Sequence, residues 1–454
     1  MVEVPTGSGF IHQENFPMSL PVVALVGRPN TGKSTLFNRF VGGRRAVVSD
    51  QAKTTRDRNY GEIVWNDRRF LLVDTGGLMP ERETDAMDRL VVRQVQAATA
   101  EADLVLFLVD AKTGAVTTDV ELARDIRKRN GDSILVANKI DSAGADPELY
   151  RLLELGLGEA FPVSAAHGTG VGDLLDEVVR RIPEKGRADA EEEGLRIGIV
   201  GRPNVGKSSL VNAYLGREQM IVSEIPGTTR DSIDSAIRWR ERRIVLVDTA
   251  GLRRRSRVHD DVEYYSTLRA VRAIERSHVV FLLLDASEPI GHQDAHIASM
   301  AEKLGRGIVL LLNKTDLELD QSTEELKARV LYKMPFLSFA PVLAVSATTR
   351  KSIGKALDTA LAVDEEMNRT IPTAQLNKLV EAAVARNAPP VGRRPNQVYY
   401  AVQTGTRPPT FLFFVKEAGA ITPAYRRYII RSIREKYPFR GAPVVVHIRE
   451  KKSR

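Results

Sequence analysis

The 454-residue chain contains no cysteine, which excludes disulfide bonds and cysteine-ligated zinc sites. Long apolar runs are also lacking: the longest, such as SHVVFLLLDA at 277–286, are far shorter than the ~20 residues that a membrane span needs. Segment 1–17 has neither a basic start nor an apolar stretch, so it is not a signal peptide. We therefore expect a cytoplasmic protein without a membrane partner, in which segment 1–17 is a disordered N-terminal extension.

Acidic residues are scarce in one part of the chain. Residues 386–454 contain 15 Lys or Arg and 3 Asp or Glu, a balance of +12, whereas the rest of the chain carries 51 basic and 55 acidic residues. A nearly neutral body with a strongly basic tail favours a polyanionic partner, and nucleic acid is the first expectation. A solvated basic surface without a partner is the alternative.

One stretch of sequence occurs twice. VALVGRPNTGKSTLFNRF begins at Val23, and the closely similar IGIVGRPNVGKSSLVNAY begins at Ile197. Further short motifs recur in the same order and at nearly the same spacing after each of these stretches. A nearly constant offset between the paired motifs implies two copies of a domain of ~165 residues.

Each copy alternates short apolar runs with longer amphipathic stretches. This alternation predicts an α/β fold in which helices cover both faces of a parallel sheet. The copies span 18–183 and 195–363, and the charged segment 184–194 between them predicts a flexible linker because it lacks apolar periodicity. Residues 364–454 predict a small, basic α-β-β-α-β unit.

The pattern G-x-x-x-x-G-K-[ST] follows the first apolar run of each copy. Its glycines allow backbone N–H groups to surround phosphates, its lysine reaches the β- and γ-phosphates, and its serine hydroxyl binds Mg²⁺. The predicted phosphate-binding residues are Gly27, Arg28, Pro29, Asn30, Thr31, Gly32, Lys33, Ser34 and Thr35 in the first copy and Gly201, Arg202, Pro203, Asn204, Val205, Gly206, Lys207, Ser208 and Ser209 in the second.

The motif N-K-x-D, which ends a later apolar run in each copy, selects the base. Its carboxylate accepts two hydrogen bonds that guanine offers and adenine cannot, its asparagine contacts the other base edge, and its lysine stem packs over the ring. A backbone N–H of the following V-S-A loop can read the guanine oxygen. The predicted guanine-binding residues are Asn138, Lys139, Asp141, Ser164 and Ala165, and Asn313, Lys314, Asp316, Ser346 and Ala347.

Between these motifs lie the residues expected to act in GTP hydrolysis. The D-T-[GA]-G motifs supply an aspartate near Mg²⁺ and a glycine N–H for the γ-phosphate, and T-T-R-D supplies the threonine that closes over Mg²⁺. In each T-T pair we favour the second threonine over Thr54 and Thr228. The predicted Mg²⁺ ligands are Ser34, Thr55, Asp74, Ser208, Thr229 and Asp248, and the predicted catalytic residues are Lys33, Thr55, Gly77, Lys207, Thr229 and Gly251.

Leucine stands where Ras-like GTPases carry the glutamine that orients water, at Leu78 and Leu252. Because leucine cannot orient water, another group must supply polarity or charge. The phosphate-loop asparagines, Asn30 and Asn204, are candidates for holding a K⁺ ion where an arginine finger otherwise adds positive charge. The alternative is that each asparagine only stabilises the turn of its loop.

Two features of the basic tail bear on its partner. A helical stretch places Arg427, Arg431 and Arg434 on one face, a spacing suited to tracking phosphates. Nine aromatic residues lie between Tyr399 and Phe439, and their alternation indicates mainly core positions, with base stacking as the alternative.

With these motifs in this order, the chain resembles the Der (EngA) family, the bacterial double GTPases of the TrmE-Era type. The resemblance covers the chain from Met18 onward and implies two tandem P-loop GTPase (G) domains followed by a KH-like domain. It also implies K⁺-stimulated hydrolysis and GTP-dependent binding to the large ribosomal subunit and its rRNA. The chain departs from the family at Gln51–Lys53, where a Pro-Gly pair is usual, and its tail has no G-x-x-G loop for clamping RNA.

The leading hypothesis is a GTP-hydrolysing factor in assembly of the large ribosomal subunit. The expected ligands are GTP or GDP, Mg²⁺ and K⁺, the expected partner is ribosomal RNA rather than DNA, and a monomer is expected. The alternative is a nucleotide-sensing RNA- or ribosome-binding protein in which hydrolysis at one site is incidental. Both copies retain the full set of motifs, so neither is predicted to be inactive.

Overall fold

The structure, a computed structural model, describes residues 20–42, 60–66, 68–75, 98–99, 102–128, 132–140, 147–183, 194–216, 223–226, 233–249, 263–318, 321–390 and 396–451. The predicted N-terminal extension and linker residues 184–193 lie outside this part of the chain.

The first domain is an α/β unit built on six strands. The strands are β1 (Val22–Val26), β2 (Tyr60–Trp65), β3 (Arg68–Asp74), β4 (Leu104–Asp110), β5 (Ser133–Asn138) and β6 (Phe161–Val163), and the helices are α1 (Lys33–Gly42), α2 (Thr117–Lys128), α3 (Pro147–Arg151) and α4 (Val171–Arg181). The sheet order is β2-β3-β1-β4-β5-β6, with β2 antiparallel to β3 and the remaining pairs parallel.

The second domain repeats this arrangement, and its described residues include one more strand at the edge of the sheet. Its strands are β7 (Leu195–Val200), β8 (Ser223–Pro226), β9 (Ile233–Trp239), β10 (Arg242–Val247), β11 (Val279–Asp285), β12 (Gly307–Asn313) and β13 (Val342–Ala344), and its helices are α5 (Lys207–Leu215), α6 (Glu263–Glu275), α7 (His292–Lys303), α8 (Thr323–Lys333) and α9 (Ile353–Met367). The sheet order is β13-β12-β11-β7-β10-β9-β8.

The tail is the predicted α-β-β-α-β unit. It consists of α10 (Thr373–Arg386), β14 (Val398–Gly405), β15 (Thr410–Val415), α11 (Pro423–Lys436) and β16 (Val445–Glu450). Strand β15 lies between β14, to which it is antiparallel, and β16, to which it is parallel. The prediction of two α/β domains and a small α+β tail is therefore confirmed.

The central strands explain where a site can form. Every residue of β4 and of β11 is buried, as expected for apolar strands that helices cover on both faces. The strand order reverses at β1, which lies between β3 and β4, and at β7, which lies between β10 and β11. In open α/β sheets, ligands bind beyond the carboxyl ends of the strands at such a point.

The tail and the second domain share one apolar core. Gly441 lies at this junction with φ 76°, and a Cβ atom there would be 2.3 Å from Cγ2 of Val363 on α9. Its N–H donates to the carbonyl of Phe339, and its carbonyl accepts from the N–H of Ile308, both at 2.8 Å. Helix α9 continues without a break past 363, the predicted end of the second domain, to Met367. Because the tail and the second domain share one core, the tail packs directly on this domain.

Arg434 does not lie with Arg427 and Arg431 on a phosphate-tracking face, so that part of the prediction is wrong. Its guanidinium donates to the carbonyls of Pro438, Phe439 and Ala442 at 2.7 to 2.9 Å. The guanidinium also lies 4.5 Å from the ring centroid of Phe339 in the second domain. The physical reason is its position in the last turn of α11, from which the guanidinium reaches carbonyls of the loop that follows the helix. Arg427 and Arg431 are exposed.

The first and second domains also touch. Arg272 of α6 lies 3.3 Å from the carboxylate of Asp103, which also accepts the N–H of Val22 at 2.8 Å. The ring of Tyr60, at the start of β2, packs edge-on against His296 of α7, with centroids 6.0 Å apart. No helix in the part of the chain that the structure describes is both long and apolar enough to cross a membrane.

Candidate nucleotide-binding sites

The predicted phosphate loops join β1 to α1 and β7 to α5, at the carboxyl edge of each sheet. Both loops begin with a glycine pressed against the neighbouring strand: a Cβ atom at Gly27 would lie 2.3 Å from the carbonyl oxygen of Leu108, and one at Gly201 would lie 2.4 Å from that of Leu283. A side chain at either position would displace the loop from its strand, so glycine is required there.

The loop lysines are held inside the loops. The ammonium of Lys33 donates to the carbonyls of Gly27 at 2.8 Å and Arg28 at 2.7 Å. Burial lowers the pKa of Lys33 to about 8, against a smaller opposing effect of the Asp74 carboxylate. Lys207 makes the corresponding contacts in the second copy, at 2.8 and 2.5 Å. Each ammonium therefore lies at the centre of its loop, where a phosphate oxygen can replace a carbonyl as its partner.

In the first copy, two predicted Mg²⁺ ligands are adjacent. The hydroxyl of Ser34 donates to Oδ2 of Asp74 at 2.8 Å, and Asp74 is buried at the end of β3. Thr75, the next residue, donates its hydroxyl to the carbonyl of Leu25 at 2.6 Å and so fixes the end of β3 against β1. A hydroxyl and a carboxylate are the donor types that Mg²⁺ binds.

The N-K-x-D asparagines connect the two loops that surround the nucleotide. Nδ2 of Asn138 donates to the carbonyl of Thr31 in the phosphate loop at 2.8 Å, and Oδ1 accepts the N–H of Ala165 at 3.0 Å. Asn313 makes the same two bonds, with Val205 and Ala347, at the same distances. These bonds use one of the two N–H groups of each Nδ2, and the expected contact with a base edge stays a prediction.

The motif lysines have acidic partners that sequence reasoning missed. Lys139 pairs with Asp110 at 2.6 Å, and Lys314 pairs with Asp285 at 2.5 Å. Each aspartate is the last residue of the central strand, directly opposite the motif asparagine in the strand register. The signal available in the sequence was an Asp that ends the same apolar run in both copies. The ion pair fixes the lysine stem beside the base position.

The phosphate-loop arginines are also anchored by acids that sequence reasoning missed. Nε of Arg28 donates to Asp119 at 2.8 Å, and Nε of Arg202 donates to Asp294 at 2.9 Å. Asp119 lies near the start of α2, and Asp294 lies near the start of α7. Both carboxylates are fully buried, and each also accepts a backbone N–H. A buried carboxylate at a helix N-terminus is stabilised by the backbone dipoles there. The pairs therefore fix each loop to a second element.

Among the described residues, the two copies differ at Asp234. This buried carboxylate accepts from Nη2 of Arg276 at 2.7 Å and from Nη2 of Arg196 at 3.2 Å, while its other oxygen accepts the N–H of Asp248 at 2.9 Å. Asp248 has a left-handed backbone, with φ 57°. The first copy has Tyr60 at the position that corresponds to Asp234 when the two phosphate loops are aligned. The second copy thus has an ionic anchor for its D-T-A-G motif.

The remaining predicted residues are distributed as follows. Asn30 and Asn204 are exposed and have left-handed φ values of 65° and 63°. Asp316 is exposed, one residue beyond Thr315, whose hydroxyl donates to the carbonyl of Val345 at 2.8 Å. Outside the described residues lie Thr54, Thr55, Gly77, Leu78 and Asp141 of the first copy, Thr228, Thr229, Gly251 and Leu252 of the second, and the departure at Gln51–Lys53.

Comparison with known families agrees with this geometry. A family model described as 50S ribosome-binding GTPase matches residues 22–139 and, a second time, residues 196–314. A second model, described as the KH-domain-like C-terminal domain of EngA bacterial GTPase enzymes, matches residues 370–449. These ranges cover both phosphate loops, both N-K-x-D asparagines and the α-β-β-α-β tail.

Proteins named GTPase Der are similar to almost the whole chain. That of Caldanaerobacter subterraneus subsp. tengcongensis is 47% identical over 96% of this chain and 99% of its own length. Those of Halothermothrix orenii and Gemmatimonas aurantiaca are 43% and 45% identical over 96% of this chain and 100% of their own length. The chain therefore belongs to the GTPase Der family and is a double GTPase, which binds and hydrolyses GTP through two tandem G domains.

Proposed function

We propose that this GTPase acts in assembly of the large ribosomal subunit and that its two G domains gate its affinity for the ribosome and its rRNA. One observation carries the proposal: two sites with the same internal bonds occur in one chain, and the second is docked directly on a basic tail. The balance of +12 in residues 386–454 supports a polyanionic partner. Within this proposal the chain works as a monomer in the cytoplasm.

At each site, the loop amides and the lysine hold the phosphates. Lys33 and Lys207 move from their carbonyl partners to the β- and γ-phosphate oxygens and neutralise charge that develops on them during hydrolysis. Asp141 and Asp316 read the two guanine donors, and the V-S-A loops enclose the base. Water attacks the γ-phosphorus, the bond to the bridging oxygen breaks, and the N–H groups of Gly77 and Gly251 hold the γ-phosphate.

The Mg²⁺ ligands in this proposal are Ser34, Thr55 and Asp74 in the first site and Ser208, Thr229 and Asp248 in the second. The 2.8 Å contact between the Ser34 hydroxyl and the Asp74 carboxylate supports this ligand set for the first site. When bound, Mg²⁺ neutralises phosphate charge.

For the second site we also propose that Asp234 is a positioning residue. Its bond to the N–H of Asp248, 2.9 Å long, orients the carboxylate that would hold Mg²⁺, while Arg196 and Arg276 form salt bridges with its other oxygen.

Nucleotide-dependent sedimentation tests the proposed function. The chain is sedimented with purified large subunits in GDP, in GTP and in a non-hydrolysable GTP analogue. We expect the apparent Kd to change by about tenfold or more between GDP and the analogue, which is within the usual range of coupling between two sites. Equal binding in all three nucleotide states would contradict gating.

Potassium dependence tests the role of the loop asparagines. We expect hydrolysis to be about tenfold or more faster in K⁺ than in Na⁺ at equal ionic strength, because K⁺ held by Asn30 and Asn204 adds charge near the phosphates. The matched variant is Asn30→Gly/Asn204→Gly, because glycine accepts the left-handed backbone but removes the side-chain oxygen. If this variant keeps the full K⁺ effect, the asparagines serve only their turns.

Substitutions at Asp234 distinguish its proposed role in orienting Asp248 from a role in the stability of the fold alone. In a Lys33→Ala background, which leaves the second site to be measured alone, we expect Asp234→Ala to lower turnover about tenfold because the N–H of Asp248 loses its acceptor. Asp234→Asn keeps an acceptor oxygen but loses the ion pairs, so it lowers stability with a much smaller loss of turnover. GTP turnover per folded molecule is the measurement, with thermal unfolding as the folding control. Equal turnover in the two variants would contradict the positioning role.

A further inference from the structure

The three-stranded sheet of the tail has two different faces. Helices α10 and α11 cover one face, where Ala401, Phe411 and Phe413 are buried in the shared core. Asn377 of α10 fixes this cover: its Nδ2 donates to the carbonyl of Ala401 at 3.0 Å, and its Oδ1 accepts the N–H of Ala401 at 2.8 Å. Side chains alternate between faces along each strand, and on the opposite face those of Tyr400, Val402, Leu412, Phe414, His447 and Arg449 are half-buried or exposed. We call this opposite face the open face.

Strand register sets the composition of the open face. Tyr400 of β14 is paired with Phe414 of β15, which is paired with Arg449 of β16, so these three side chains form one row across the sheet. The rings of Tyr400 and Phe414 are stacked, with centroids 4.4 Å apart and planes at 20°. The neighbouring row consists of Val402, Leu412 and His447. The open face therefore combines stacked aromatic rings with a guanidinium group.

A β-bulge adds another aromatic ring beside the first row. The register shifts between Val398 and Tyr400, which makes Tyr399 the extra residue of β14. Tyr399 and Tyr400 are 41% and 38% exposed. The ammonium of Lys451 lies 5.1 Å from the ring centroid of Tyr399 and 5.8 Å from that of Tyr400. Exposed aromatic faces bordered by cations are the combination that single-stranded nucleic acids bind.

The charge around the open face favours an anionic ligand over an apolar protein surface. Lys416, Arg449 and Lys451 are exposed, and none of them forms a salt bridge with a carboxylate of the described residues. An apolar protein partner would desolvate these cations without pairing them, whereas a phosphate backbone would pair with them and release counterions.

We propose that the open face binds a short unpaired stretch of RNA. Bases stack on the rings of Tyr399, Tyr400 and Phe414, and Arg449 and Lys451 hold the adjacent phosphates. Duplex RNA is disfavoured because its bases already stack on one another. Three strands at ~4.8 Å spacing form a surface roughly 10 Å wide, which is enough for two or three nucleotides. This proposal rests on the proposed rRNA-binding function and assigns to it a surface on the side of the sheet away from α11.

Substitutions at Tyr400 in the full-length chain test the proposal. The probes are a fluorescently labelled single-stranded RNA of ten nucleotides and a labelled blunt-ended RNA duplex without unpaired bases, each measured by fluorescence anisotropy. We expect Tyr400→Leu to weaken single-strand binding about 5- to 50-fold, because an apolar contact with Phe414 is kept but a stacking surface is lost. Duplex binding changes less than about twofold. Tyr400→Phe, which keeps the ring, retains single-strand affinity.

The control for charge alone is Arg427→Ala on α11, which we expect to weaken binding of the single strand and of the duplex equally. Thermal unfolding shows whether all variants are folded. Wild-type affinity in Tyr400→Leu would overturn the proposal. So would a wild-type dimer in sedimentation equilibrium that dissociates in Tyr400→Leu while RNA binding is unchanged, because the open face would then bind a second copy of the chain.

Two wild-type measurements separate this proposal from the proposed function. If the wild-type chain binds large subunits but not the single-stranded probe, the open-face proposal fails and the proposed function stands. If it binds the probe through Tyr400 but binds large subunits in no nucleotide state, the proposed function fails and the open-face proposal stands.

Discussion

Each nucleotide site depends on one buried asparagine side chain. Asn138 bonds to the phosphate loop through Nδ2 and to the loop after β6 through Oδ1, and Asn313 repeats both bonds in the second domain. Both side chains are almost fully buried, so a broken bond would leave an unpaired polar group away from water. The phosphate loop, the N-K-x-D motif and the V-S-A loop therefore form one unit, and the ion pairs of the loop arginines and motif lysines extend that unit to the neighbouring helix and strand.

The described residues also show where the two sites differ. Beside this repeated unit, Tyr60 in the first copy and Asp234 in the second occupy equivalent positions. Tyr60 contacts the second domain through His296 and Lys303, whereas Asp234 turns inward to hold Asp248. This position thus connects the first domain to the second in one copy and fixes the backbone at Asp248 in the other. The two sites have the same internal bonds but are connected differently to the rest of the chain.

Local patterns in the sequence predicted the strands, the repeat and the loop residues, because strand periodicity and motif spacing act over short distances. The acids that anchor Arg28 and Lys139 could not be assigned, because Asp119 and Asp110 lie far from them along the chain, with separations of 91 and 29 positions. Helical spacing placed Arg434 with the exposed arginines, but its guanidinium instead donates to carbonyls of the loop that follows α11. A bulge, which alternation does not predict, separates exposed Tyr399 and Tyr400 from the core aromatics.

The two-site function depends on hydrolysis of GTP by both copies. It is tested most directly by single-turnover GTP hydrolysis in Lys33→Ala, Lys207→Ala and the double variant, with thermal unfolding as a control for folding. Removing either ammonium should abolish the hydrolysis of one site, so each single variant should retain part of the wild-type activity and the double variant almost none. A single variant with full wild-type hydrolysis would show that its site is silent and would contradict the account.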